Sequence, residues 1–163
     1  MSAEASFWVA QGVGVLAAVL GVIAFQMPRH ALLLLLLGFS ALTWAVHFVL
    51  LAAPAAAAIN MVTAARNFCG IRFSGPWLGG CFAAFYVIAA AVSFTSPWDL
   101  LPLVAVLSGT ASVFLLRGMR ARAGFLAGSL LWIVYNLRVG SFAGVIIMAA
   151  DAASNIRFML RRR

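Results

Sequence analysis

From Ala31 to Ala65 the chain carries no Asp, Glu, Lys or Arg. This run of thirty-five positions is mostly Leu, Ala and Val, broken near its middle by Pro54. It is long enough for two hydrocarbon crossings and short enough to force a tight turn between them. A soluble domain of this size has no core large enough to hide such a run. Composition agrees: 66% of the 163 residues are apolar and 9% charged. Mean hydropathy is +1.11. The sequence therefore predicts a polytopic, all-α membrane protein.

Seven membrane spans can be drawn, at Phe7–Gln26, Arg29–Leu51, Pro54–Asn67, Pro76–Phe94, Trp98–Leu116, Ala123–Leu137 and Phe142–Arg157. Several are short for a perpendicular crossing and require flanking residues to lengthen them or the bilayer to thin. The first apolar stretch follows Glu4 and no basic residue, which reads as a retained helix, not a cleaved leader. With seven crossings, Arg29, Arg66, Arg72, Arg117, Arg120, Arg122, Arg157 and Arg161–Arg163 share one side. Arg138, Glu4 and Asp99 fall on the other. The positive-inside rule then predicts an outer N-terminus and a cytoplasmic C-terminus.

All eleven basic residues are arginine, and the formal charge is +8. Their places at helix ends suit anionic headgroups and membrane lipids as partners, and exclude a nucleic-acid surface. Cys69 and Cys81 fit no metal-ligand spacing. No HExxH, nucleophile elbow or Gly-rich phosphate loop is present, so neither an enzyme nor a cofactor is expected.

A shift of 88 positions aligns Arg29 with Arg117, Trp44 with Trp132, His47 with Tyr135, Thr63 with Asp151 and Asn67 with Asn155. Two three-helix repeats emerge, at 7–67 and 98–158. The linker helix at 76–94 restores the first orientation, giving seven transmembrane helices in a 3+1+3 arrangement of parallel repeats within one domain.

Several segments carry a resemblance: AFQMPRHALL near the first turn, TWAVHFVLL, AARNF, WIVYNLRVGSFAGV and AASNIRF. Together they resemble the bacterial inner-membrane YgjV-like family, through almost the whole chain, and more distantly the SWEET and PQ-loop transporters. That distant resemblance implies the 3+1+3 architecture and carriage of small solutes by alternating access. Gln26, Met27 and Pro28 stand where PQ-loop proteins have an adjacent Pro-Gln pair, so no gating role is carried over.

Polar groups inside the apolar spans are the candidate site. Asp151 lies about ten residues into the last span, roughly 15 Å deep. A carboxylate there costs several kcal/mol unless it is paired, protonated or open to water. It reads either as a cation- or proton-sensitive site or as a helix-to-helix bond. Asn155 shares its face and reads as substrate contact or helix bridge. Asn60, in span three, needs partners for both ends of its carboxamide. His47 reads as donor, relay or satisfied histidine; Tyr135 and Asn136 stand at the matching level. Trp44 and Trp132 read as a pair stacking on an apolar or ring-shaped solute from two sides, or as aromatic-belt or packing residues. The expectation is a membrane transporter for a small polar solute, with proton coupling and a homo-oligomer left open. The alternative is a non-transporting binding, sensor or accessory protein.

Overall fold

The computed structural model describes residues 3–161. Arg162 and Arg163, grouped above with the cytoplasmic arginines, lie outside the described residues, as do Met1 and Ser2. The described chain is helical: α1 (Ala3–Ala24), α2 (His30–Leu50), α3 (Pro54–Gly70), α4 (Pro76–Val92), α5 (Leu100–Phe114), α6 (Gly118–Val139) and α7 (Phe142–Leu160). A 3-10 turn at Pro97–Asp99 leads into α5.

Local chemistry sets the boundaries. Pro54 and Pro76 occupy the first turns of α3 and α4, where a missing N–H costs nothing. Gly140 ends α6 in the left-handed region at φ 72°, which glycine enters without a Cβ penalty. Ser96 and Asp99 form a reciprocal capping box before α5. Ser141 caps α7 by accepting from the Gly144 N–H at 3.2 Å.

Short connections reverse the chain direction at each step. Consecutive helices pack on one another, most extensively α1 with α2, α2 with α3, α5 with α6 and α6 with α7; α1 also meets α7. The alternation gathers Arg29, Arg66, Arg72, Arg117, Arg120, Arg122, Arg157 and Arg161 toward one end of the bundle. The opposite end carries Glu4, Asp99 and Arg138.

The expectation of seven transmembrane helices in a 3+1+3 arrangement is corrected here. Among the described residues, four helices are long and apolar enough to cross a membrane: Glu4–Ala24, His30–Leu50, Pro97–Phe114 and Phe142–Leu160. α3 and α4 have 17 residues each, about 25 Å of helix against a hydrocarbon core of about 30 Å. Their prolines block extension at the start. α6 has 22 residues, but Arg120, Arg122 and Arg138 lie near its ends. The orientation deduced from seven crossings loses that count as support.

The burial pattern suits lipid. Large apolar side chains face outward: Val92 is 84% exposed, Phe25 72% and Ile146 71%. Polar ones turn inward, including Gln11, Ser40, His47, Asn136 and Ser141. Without a hydrophobic drive between helices, close approach and internal hydrogen bonds must hold them together. Ala55, Ala56 and Ile59 are fully buried on α3. Ser40 of α2 donates to the Ala17 carbonyl of α1 at 2.8 Å. Two apolar clusters form the core. One joins Phe48, Ala53, Ala56, Ala57 and Tyr135; the other joins Ile59, Leu78, Phe82, Tyr86 and Ala90; Trp132 packs against both.

Candidate functional site

A cavity of about 160 Å³ opens among α2, α3, α5, α6 and α7. Its wall includes Trp44, Phe48, Asn60, Thr63, Trp132 and Asn136. Three aromatic rings form one side as a ladder. Trp44 stacks on Phe48 at 5.9 Å between centroids, and Phe48 stacks on Trp132 at 5.7 Å. The two tryptophans therefore do not clasp an open slot; Phe48 fills the space between them. Such rings give a broad, rigid apolar face.

The polar groups come from α3, with Asn60 and Thr63, and from α6, where Asn136 stands one turn after Trp132. Asn60 donates from Nδ2 to the Ala56 carbonyl of its own helix at 2.9 Å. The Thr63 hydroxyl bonds the Ile59 carbonyl at 2.9 Å and meets the Tyr86 hydroxyl at 3.0 Å. Asn136 is 2% exposed, yet its Oδ1 has no hydrogen-bond partner among the described residues. A buried carboxamide oxygen left without a donor costs on the order of 1–3 kcal/mol. A side chain at Gly144 would collide with this carboxamide and with Ser141 Oγ, so glycine keeps that wall clear.

His47 lies outside the cavity, in a tie between helices. It is fully buried. Its Nδ1 sits 2.6 Å from the Ala10 carbonyl of α1, and its Nε2 sits 2.7 Å from Ser141 Oγ at the start of α7. A carbonyl only accepts, so Nδ1 carries the proton, and the Ser141 hydroxyl donates to Nε2 while accepting from Gly144 N–H. Gln11 of α1 completes the tie. Its Nε2 donates to the Gly140 carbonyl at 2.9 Å, and its Oε1 accepts from Phe142 N–H at 3.0 Å. Replacing Ser141 with alanine removes the α7 cap and the partner of Nε2 together. We expect the unfolding free energy of the purified protein in micelles to fall by about 1–2 kcal/mol, read by denaturant titration.

The remaining predicted residues lie elsewhere. Tyr135 is buried in the core cluster with Phe48 and donates to Asp99 Oδ1 at 3.4 Å. Asn155 is buried; it donates to the Asp151 carbonyl at 2.9 Å and accepts from Arg122 at 3.3 Å. Asp151 is exposed and does not line the cavity. It shares a helical face with Gly144, Ile147 and Met148, one turn nearer the arginine-bearing end.

Of the eight candidates, the cavity brings together Trp44, Asn60, Trp132 and Asn136. Phe48, Gln11 and Ser141 were not singled out from the sequence. Phe48 stands four residues after Trp44, the spacing that stacks side chains on one helical face. Gln11 and Ser141 carried no comparable signal, because their partners lie far away in the chain. No group of three His, Cys, Asp or Glu suited to a metal occurs among the described residues.

The profile of the family Imp-YgjV, described as bacterial inner membrane protein, matches residues 8–163. The chain belongs to this family. It is 27% identical over 142 residues to the inner membrane protein YgjV of Escherichia coli (strain K12), covering 87% of this chain and 78% of that relative. No solved structure matches the chain. Membership of the Imp-YgjV family makes the chain a multi-pass protein of the bacterial inner membrane, in keeping with its four long apolar helices and outward-facing apolar surface.

Proposed function

We propose that the protein carries a small polar solute across the inner membrane, binding it in the cavity lined by Asn136, Asn60 and the Trp44–Phe48–Trp132 ladder. One observation carries this reading: among the described residues, the buried Asn136 Oδ1 is left without a donor beside that cavity. A purely structural asparagine would spend its oxygen on a neighbouring helix. A solute N–H or O–H supplies the absent donor, and the ring ladder shields that bond from water.

The two ends of the cavity suit alternate opening. Toward the Asp99 end, Tyr135 and Phe48 pack over it, and the His47–Ser141 and Gln11 ties bind α1 and α2 to α7. Toward the arginine-bearing end, the same faces of α3 and α7 continue into Arg66, Asn67, Asp151 and Asn155. The excess of arginine supports a cytoplasmic location for that end. Asp151 then stands on the cytoplasmic approach to the cavity, where a carboxylate reaches water.

The test is uptake into sealed vesicles holding the full-length protein, over a panel of amino acids, sugars, nucleosides and organic acids, with and without a pH gradient. Saturable, protein-dependent flux of at least one member is expected. Binding without flux would make the protein a sensor or accessory component instead.

A further inference from the structure

A second recess, of about 310 Å³, lies at the Asp99 end. Its wall is built from the turn between α2 and α3, the connection before α5 and the end of α6. Unlike the ring-walled cavity, it contains charge: Asp99 and Arg138 are its two charged lining residues. Asp99 takes its hydrogen bonds from Thr95, Ser96 and Tyr135, not from Arg138.

Asp99 is 4% exposed and rigidly held. Its Oδ2 accepts from Thr95 N–H at 2.8 Å, Thr95 Oγ1 at 2.9 Å and Ser96 N–H at 2.9 Å. Those three donors fix the carboxylate. Among the described residues its Oδ1 meets only the Tyr135 hydroxyl, at 3.4 Å, which is long for an O–H donor and leaves accepting capacity unused. Arg138 is exposed, with a guanidinium that donates several bonds in one plane. Ala52, on the same wall, takes its left-handed φ of 53° in ending α2: its N–H bonds back to the Val49 carbonyl at 3.0 Å and the Ala53 N–H to the Phe48 carbonyl at 2.8 Å.

The pair is balanced. A simple cation answers Asp99 and leaves Arg138 bare; a simple anion does the reverse. A molecule bearing both charges answers both. We propose that this recess captures a small zwitterion, an α-amino acid in chemical class, with its ammonium on Asp99 Oδ1 and its carboxylate on Arg138. Tyr135 lines the recess and also packs on Phe48 and Trp132 of the inner cavity, at 6.3 and 6.0 Å between centroids. The recess is therefore the antechamber of that cavity, and one ring layer separates the two. Its role as an entrance rests on the carrier reading; the binding does not.

Titration calorimetry on the full-length protein in detergent tests it. The probes are L-alanine, L-glutamine and L-leucine, with L-leucinamide, N-acetyl-L-leucine and glycerophosphoethanolamine. At least one amino acid is expected to bind. Removing either of its charges is expected to weaken binding roughly tenfold or more. Arg138→Gln, a surface change, should do the same with unfolding unaltered, and Asp99→Asn should do so where its turn survives. Overturning results are no amino-acid binding, equal binding of the singly charged analogues, or wild-type affinity in Arg138→Gln. Tighter binding of glycerophosphoethanolamine than of any amino acid would give the recess to a lipid headgroup and also overturn the proposal. Binding without uptake would leave the zwitterion site standing and remove the carrier reading. Uptake of some other solute without zwitterion binding would do the opposite.

Discussion

Asn136→Leu is expected to lower solute uptake roughly tenfold to a hundredfold while leaving the protein as stable as the wild type or more so. The two halves have one cause. Among the described residues the buried Oδ1 finds no donor, so its removal relieves a desolvation cost on the order of 1–3 kcal/mol. Leucine is close to asparagine in shape, and the surrounding wall is largely apolar. With solute bound, the lost acceptor is a lost directed contact, which sets the fall in binding. A packing asparagine that holds two helices together would show the reverse sign, with stability falling. Uptake and denaturant unfolding of one preparation separate the two cases.

The second large effect concerns α1. Gly14→Leu is expected to destabilise strongly, while Gly12→Leu, two residues away, is expected to be nearly neutral. A Cβ at Gly14 would lie 2.9 Å from the Ala143 Cβ and 2.9 Å from His47 ring atoms. All three belong to helices held by the His47–Ser141 and Gln11 ties, so none moves without breaking a hydrogen bond. Overpacking at such a point costs about 1–3 kcal/mol, before the broken bonds are added. A Cβ at Gly12 meets nothing within 4 Å, and the position is exposed. Thermal unfolding of the two variants in the same detergent compares them directly. Equal midpoints would mean that α1 does not press against α2 and α7 as described.

Helix positions were legible because apolar runs and prolines mark them. Pro54 and Pro76 start α3 and α4 where the sequence places them, and α7 begins at Phe142 as expected. Crossing the membrane is a separate matter of length and apolarity. Flanking residues lengthen a short span only where no proline occupies its first turn. α3 and α4 stop at 17 residues. The ends of α6 gain arginines as they extend. Helix existence was therefore visible where spanning was not.

The site was legible in part for a similar reason. Polar residues in apolar helices stand out by cost alone, which marked Asn60, Asn136 and His47. Which of them share a wall depends on helix rotation and on partners distant in the chain. The sequence put Trp44 and Trp132 at matching levels without revealing that Phe48 stacks between them. Asp151 stands out in the sequence because a buried carboxylate is costly. In the fold that carboxylate is exposed, one turn beyond the cavity. Asp99 drew attention only as a charge on the less arginine-rich side. Its Ser96-x-x-Asp99 spacing is the capping signature that fixes it in the second recess.

A carrier's Asn136 cavity is reached from both membrane faces in turn. Thiol labelling tests it most directly. Thr63→Cys places a thiol in the cavity wall, in a chain with Cys69 and Cys81 replaced by alanine, and a membrane-impermeant maleimide is added to one face or the other of sealed vesicles. Labelling of that position from each face separately is the predicted result. Labelling from one face alone, under every solute and pH condition, would contradict a carrier and leave a one-sided binding pocket.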